Sequence, residues 1–380
     1  MAKHAVLSPS SSARWLACPG SVRLIPAEER RTSRAAAEGT VAHEIAAECI
    51  EMGRSPVEFI GREFEQDGFT IEFTAEMADD LAKYVDEALD AIGDNPYMVE
   101  QSVPLEQLTG EKDATGTADL LIFRAYELEV RDLKFGRGVE VDSEDNTQLI
   151  MYALGALEKF ATEVGDVTKV RCTIHQPRLA GPKETVYTIE ELAEWGKIII
   201  RGAKNTAAKD APLIPTNDGC KFCPAKATCP ALRAEILAST ESDFDDLTSR
   251  DAEQLAADLH RVERVEAWTK AVRAEVERRL IAGTDVPGWK LVAGRRGARK
   301  WIDESDAIVA LEQHLGPDAW KKSLISPTEA GKILKGREEL FDGLVTSSEG
   351  KPSVAPATDR RPAITVTPTT DDFDNLEETE

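Results

Sequence analysis

The sequence contains no apolar run near the roughly 18 residues that a membrane-spanning helix needs. Of its 380 residues, 42% are hydrophobic and 30% are charged, which is typical of a soluble protein with two or three folded domains. The first residues, MAKHAVLSPSSS, lack the apolar core of a signal peptide. We therefore expect a cytoplasmic protein without a membrane partner.

Cysteine is scarce, and the six present are too unevenly spaced for a disulfide framework. Three of them, Cys220, Cys223 and Cys229, form a C-x2-C-x5-C pattern. A C-x-x-C turn aims two sulfur atoms at one point, which suits a thiophilic metal or an iron–sulfur cluster. Three ligands are one short of a closed site. Cys18 is the best candidate for the fourth, because the other two cysteines lie in an apolar helical stripe and in a strand.

Basic residues are fewer than acidic ones, and the net charge of −23 argues against a general binder of polyanions. The imbalance is not uniform along the chain. Residues 1–36 carry six basic and two acidic side chains, and residues 288–301 carry five basic and none acidic. A nucleic-acid site on a local basic patch therefore remains open.

The stretch GTADLLIFRAYELEVRDLK, residues 116–134, alternates in hydrophobicity as two short strands joined at residues 125–126. Such a hairpin would place Asp119 opposite Asp132, with Cβ atoms roughly 5 Å apart, and Lys134 on the same side. Two carboxylates this close repel each other unless a cation lies between them, and a divalent ion with oxygen ligands is the usual cation. Because the turn lacks an Asn-Gly pair, a solvated hairpin end with a chance Asp–Lys pair is the alternative.

Helical periodicity flanks this hairpin on both sides. His43 lies off the apolar stripe of one predicted helix, and a second is predicted over residues 75–92. A third helix over 146–164, with Ser143 as a candidate cap, carries Gln148 and Tyr152 on one face. Together with strands at 98–105 and 169–175, this order predicts an α/β fold with a mixed central sheet flanked by helices.

Five short motifs occur in a fixed order over residues 7–233. They are Ser-x-x-x-(aromatic)-x-x-Cys-Pro in SPSSSARWLACP, Gly-x-x-x-His at Gly39–His43, Gly-x-x-Asp at Gly116–Asp119, (D/E)-x-K at Asp132–Lys134, and Gln-x-x-x-Tyr at Gln148–Tyr152. The ordered set resembles the RecB-like branch of the PD-(D/E)XK nuclease superfamily. The resemblance is closest to phage and prophage proteins of an uncharacterised-domain type, and to iron–sulfur nucleases such as the AddB nuclease domain and CRISPR-adaptation exonucleases. One departure is Asp132, where Glu is commoner.

The resemblance implies a restriction-endonuclease-like core and a Mg2+- or Mn2+-dependent deoxyribonuclease, an exonuclease acting on DNA in phage or bacterial recombination or replication. The implied catalytic residues are Asp119, Asp132, Lys134, Gln148 and Tyr152, and the implied metal ligands are His43, Asp119, Asp132 and the Leu133 carbonyl oxygen. A [4Fe-4S] cluster, or Zn2+ as the alternative, is implied on Cys18, Cys220, Cys223 and Cys229. It would act as a structural staple. A non-catalytic DNA-binding or scaffold protein of phage recombination is the alternative to the enzyme.

Three regions follow from these patterns. We expect a nuclease domain with its staple over residues 1–235, a helical accessory domain over 240–345, and a disordered acidic tail over 346–380. The final residues, TTDDFDNLEETE, contain six acidic side chains and no basic one. They could bind a basic partner such as a recombinase or replication protein, and a solubilising tail is the alternative.

Overall fold

Strand-forming and helix-forming segments alternate along the chain, and in the computed structural model they build a mixed five-stranded sheet. The strands are β1 (Glu63–Gln66), β2 (Phe69–Glu72), β3 (Tyr97–Pro104), β4 (Thr115–Arg124), β5 (Glu127–Leu133), β6 (Lys169–His175) and β7 (Lys183–Thr188). The main sheet has the order β3-β4-β5-β6-β7, and β1 and β2 form a separate hairpin. β5 and β6 are parallel, whereas the other neighbours in the main sheet are antiparallel.

The structure describes residues 5–25, 33–138, 140–161, 165–241, 251–290, 292, 309 and 313. Its helices are α1 (Ser12–Ala17), α2 (Ser21–Leu24), α3 (Arg34–Met52), α4 (Ala75–Ile92), α5 (Glu106–Thr109), α6 (Thr147–Lys159), α7 (Ile189–Thr206), α8 (Asn217–Lys221), α9 (Pro230–Glu241) and α10 (Ala252–Ile281). Within these residues, no helix is both long and apolar enough to cross a bilayer.

Helices cover both faces of the sheet because β4 buries side chains on alternate sides. Leu121 packs into a core with Val130 of β5 and with apolar residues of α1, α6 and α7. Leu120 and Ile122 point the other way, into a core formed with α3 and α4. The predicted mixed sheet flanked by helices is therefore confirmed.

The ends of two helices have clear local causes. α3 stops where Gly53 adopts a left-handed conformation with φ of 66°, which a glycine tolerates without steric cost. α6 starts after Asn146, whose side chain accepts hydrogen bonds from the amides of the second and third helical residues. The prediction of Ser143 as the cap was wrong, because its hydroxyl instead lies 2.9 Å from the Thr185 hydroxyl. α6 also ends at Lys159, earlier than predicted.

The chain divides into two units, residues 1–292 and residues 293–380. α10 in the first unit confirms the helical character predicted for the C-terminal region. The tail predicted over 346–380 and most of the basic stretch at 288–301 lie outside the described residues. The domain boundary predicted between residues 235 and 240 stays a prediction.

Candidate functional site

The two predicted carboxylates meet at the end of the β4–β5 hairpin. The register pairs Leu120 with Arg131, and one residue farther it sets Asp119 opposite Asp132. Asp119 Oδ2 also accepts a hydrogen bond of 2.7 Å from the Leu133 amide, which fixes this carboxylate across the strand pair. The predicted hairpin register is confirmed. Leu133 contributes its amide here, whereas its carbonyl as a metal ligand stays a prediction.

His43 reaches the same point from α3. Its Nδ1 lies 3.3 Å from Asp119 Oδ2 and 3.9 Å from Oε1 of Glu100. Ligand atoms of these three residues lie within 4.8 Å of one another, and no other such trio occurs among the described histidines, cysteines and carboxylates. An imidazole with two carboxylates is a donor set that suits a divalent cation such as Mn2+ or Mg2+.

Glu100 is the site residue that the sequence did not reveal. The β3–β4 register pairs Val99 with Leu120 and Gln101 with Ala118, so Glu100 stands opposite Asp119. Glu100 has φ of 46°, a left-handed conformation that is uncommon for a residue with a side chain. The available signal was an acidic residue inside a predicted strand, and only the register of β3 against β4 gives it meaning.

Lys134 and Gln148 complete a polar chain beside Asp132. Lys134 Nζ lies 2.6 Å from Asp132 Oδ2, a close ion pair. The same ammonium donates to Gln148 Oε1 at 3.1 Å, and Gln148 Nε2 donates to Asp132 Oδ1 at 2.8 Å. Gln148 therefore holds both the carboxylate and the ammonium, and its Nε2 lies 3.3 Å from the Tyr152 hydroxyl one helical turn on.

Close packing explains why the Gly-x-x-Asp motif has glycine at its first position. A Cβ atom on Gly116 would lie 2.9 Å from Cε1 of Tyr152 and 3.0 Å from Cγ of Pro9. The missing side chain lets the tyrosine ring and the N-terminal segment approach β4. Three residues after Pro9, the Ser12 hydroxyl lies 2.5 Å from the Thr147 hydroxyl at the start of α6.

The pKa values at the site reflect the burial of three neighbouring carboxyl groups, those of Glu100, Asp119 and Asp132. Burial and the neighbouring Asp119 raise the pKa of Glu100 to about 7, and burial with Asp119 also raises the pKa of Asp132. Burial opposes the charge on His43, but Asp119 outweighs it and raises the His43 pKa to about 9. Buried Asp119 keeps a lowered pKa because it faces His43 and Lys134. Clustered carboxyls with raised pKa values gain from an added positive charge, so these residues fit a divalent cation.

The four predicted cysteines line one small cavity, which we call the cysteine cavity. Cys18, at the C-terminal end of α1, accepts a hydrogen bond of 3.2 Å from the Ile214 amide, and thus meets the segment that carries Cys220, Cys223 and Cys229. Among the described residues, no three of these sulfur atoms come within 4.8 Å of one another, so the structure shows no closed metal cluster.

The remaining cysteines, Cys49 and Cys172, are buried elsewhere, in α3 and β6. They contribute nothing to the cysteine cavity. The structure thus places four of the six cysteines at one cavity and two elsewhere, and the role of the four as metal ligands stays a prediction.

Comparison with known proteins places the chain in a family. Residues 4–362 match the family described as "Protein of unknown function (DUF2800)". The chain belongs to this family. Among solved structures, it is similar to one described as "Crystal structure of SSO0001", with 18% identity over 58% of this chain and 84% of that chain, and a TM-score of 0.26. A TM-score of this size does not establish a common fold.

Proposed function

We propose that the protein is a Mg2+- or Mn2+-dependent deoxyribonuclease with a RecB-like, restriction-endonuclease-like core. The carrying observation is the convergence of His43, Glu100 and Asp119 within 4.8 Å, next to an Asp132–Lys134–Gln148 chain. The ordered motifs that resemble PD-(D/E)XK nucleases support the same reading. A carboxylate pair with an imidazole and an ammonium suits metal-assisted phosphodiester hydrolysis.

The chain's own residues have separable roles in this proposal. His43, Glu100, Asp119, Asp132 and the Leu133 carbonyl oxygen would hold the cation. A bound Mg2+ or Mn2+ would lower the pKa of a water molecule and offset charge that develops on the phosphate. The Lys134 ammonium would orient the attacking water or stabilise the phosphoryl oxygens.

Gln148 would keep Lys134 and Asp132 in place through its two hydrogen bonds, and with Tyr152 would position the DNA backbone. Neither side chain transfers a proton in this proposal. Burial and the nearby aspartates raise the Tyr152 pKa well above its usual range, so this phenol stays neutral at physiological pH.

We further propose that the cysteine cavity binds a [4Fe-4S] cluster, with Zn2+ as the alternative. A tetrahedral zinc site with bonds of about 2.3 Å holds its sulfurs close together, whereas cluster ligands bind separate irons and lie farther apart. Either group would be held by Cys18, Cys220, Cys223 and Cys229, which line the cavity. Either metal would join residue 18 to residues 220–229 and so close a loop of roughly two hundred residues around the sheet.

A cleavage assay tests the enzyme. Wild type, Asp119→Ala and Lys134→Ala are compared on single- and double-stranded DNA labelled at the 5′ or 3′ end, with Mn2+ or Mg2+, and on circular DNA. We expect wild type to degrade linear DNA from its ends, and each variant to lose about a thousandfold in rate, which corresponds to about 4 kcal/mol. Asp79→Ala, at an exposed carboxylate of α4, is the matched control.

Two results would contradict the proposal. Equal cleavage by wild type and Asp119→Ala would assign the activity to a contaminant or to another site. A wild type that binds DNA but does not cleave it with either ion would favour the scaffold protein of phage recombination.

A further inference from the structure

Arg14 brings a positive charge to the cysteine cavity. It lies one helical turn before Cys18 in α1, and its carbonyl accepts the Cys18 amide hydrogen bond at 2.8 Å. Its side chain is half-buried, and Nη1 lies 3.4 Å from the hydroxyl of Ser21, a residue that lines the cavity. The guanidinium is thus directed towards the cavity wall.

The thiols of the cavity are the groups that act electrostatically on this guanidinium from the side of Ser21. Burial lowers the pKa of Arg14, and the thiol groups of Cys223 and Cys18 act in the opposite direction. Among the described residues, no carboxylate lies within ion-pair distance of Arg14. Burying a guanidinium is unfavourable without an opposite charge nearby. Cysteine thiols acquire that charge when they bind a metal, because the thiolate is the ligand.

We infer that Arg14 is, together with Lys226 that lines the cavity, a counter-charge of an anionic metal–thiolate assembly in the cysteine cavity, and that it raises the stability of that assembly and, for an iron–sulfur cluster, its reduction potential. This inference rests on the proposed metal site of the four cysteines. It adds a residue outside the ligand set, with an electrostatic role that neither a packing residue nor a neutral hydrogen-bond donor could perform.

The test uses the full chain reconstituted anaerobically with ferrous iron and sulfide. Wild type, Arg14→Lys, Arg14→Met and Arg14→Gln are compared for iron and sulfide content, for reduction potential by a titration followed in visible absorption, and for the rate of cluster loss to a chelator. Arg23→Met is the matched control, because Arg23 lies on neighbouring α2 and donates instead to the carbonyl groups of Lys209 and Ala211.

Removing the positive charge should disfavour the reduced cluster, which carries one more negative charge. We expect Arg14→Met and Arg14→Gln to lower the reduced-to-oxidised ratio about tenfold at a fixed potential, a shift of about −59 mV for a one-electron couple. They should also lose the cluster severalfold faster. Arg14→Lys and Arg23→Met should stay close to wild type. If wild type binds zinc instead, the same variants are compared for the rate of zinc release.

Several results would overturn the inference. Unchanged potential and loss rate in Arg14→Met and Arg14→Gln would remove the electrostatic role, and an equal shift in Arg23→Met would indicate general loosening of the segment. Should Arg14→Met fail to fold, Arg14→Gln carries the comparison alone. A wild type that takes up neither iron nor zinc would refute the proposed metal site first, and the nuclease assay would still stand separately.

Discussion

The carboxylate site and the cysteine cavity are built in different ways. The first uses adjacent strands and two helices, so that Asp119 and Asp132 are placed by hydrogen-bonded register, His43 by α3 and Gln148 by α6. The second joins Cys18 to a segment about two hundred residues farther along, through loop contacts such as the 2.8 Å bond from the Gly20 amide to the Pro212 carbonyl. Register fixes the first site without a ligand, whereas the second would depend on the proposed metal that cross-links it.

The carboxylate site and the cysteine cavity also differ in what a bound metal would contribute to each. Side chains at the carboxylate site strain their surroundings, as the raised pKa values of Glu100 and Asp132 and the left-handed backbone of Glu100 indicate. A cation there would serve chemistry more than stability. A cross-link in the cysteine cavity would constrain a long loop in the unfolded chain, and so would serve stability more than chemistry.

The largest expected effect separates the two regions through stability. Cys18→Ser should prevent metal binding and lower the free energy of unfolding by several kcal/mol, by analogy with a disulfide that closes a long loop. For a protein of this size we expect the melting temperature to fall by about 10 °C, while cleavage persists at low temperature. Calorimetry, metal analysis and the DNA assay check this.

The matched control for that experiment is Cys49→Ala, a buried thiol outside the cysteine cavity. It should keep the full metal content. If metal-depleted wild type melts and cuts like the loaded protein, the cysteine cavity has no staple role and the comparison fails.

Gln148→Ala should do the opposite of Cys18→Ser, lowering the cleavage rate and leaving the stability nearly unchanged. Gln148 binds both Lys134 and Asp132, so its loss should lower the cleavage rate about thirtyfold, equivalent to about 2 kcal/mol, with little change in melting temperature. Tyr152→Phe is the matched comparison, because it removes only the 3.3 Å contact and should cost less. A Gln148→Ala protein with wild-type kcat would show that the polar chain is not needed for catalysis.

Glu100→Gln should produce a smaller, metal-dependent effect. The substitution keeps size but removes one carboxylate from the trio, so the concentration of Mn2+ needed for half-maximal cleavage should rise about tenfold, or about 1.4 kcal/mol. It should also relieve repulsion with Asp119 and leave the melting temperature equal or slightly higher. Unchanged Mn2+ dependence would remove Glu100 from the ligand set.

Glu100 also marks the limit of prediction from sequence. The Asp119–Asp132 pair was predictable because alternation fixes the faces of each strand and a two-residue turn fixes their register. Glu100 was not, because nothing local to β3 determines which residue of β4 it opposes or that its backbone is left-handed. The prediction of the α6 cap was wrong for a related reason. Ser143 and Asn146 are both residue types that suit a cap, and only the tertiary contact of Ser143 with Thr185 shows which of them is used.

The smallest expected effect tests whether the two regions communicate. The Ser12 hydroxyl, on the helix that ends at Ala17 directly before Cys18, lies 2.5 Å from the Thr147 hydroxyl, and Thr147 directly precedes Gln148. Ser12→Ala should cost about 1 kcal/mol of stability, and in a double-mutant cycle with Thr147→Val most of that energy should appear as coupling. If the cross-link holds α6 through this contact, Ser12→Ala should also lower the cleavage rate about twofold with the metal content unchanged. A full coupling energy with an unaltered rate would mean that the regions share stability but not catalytic geometry, and additive substitutions would mean that they share neither.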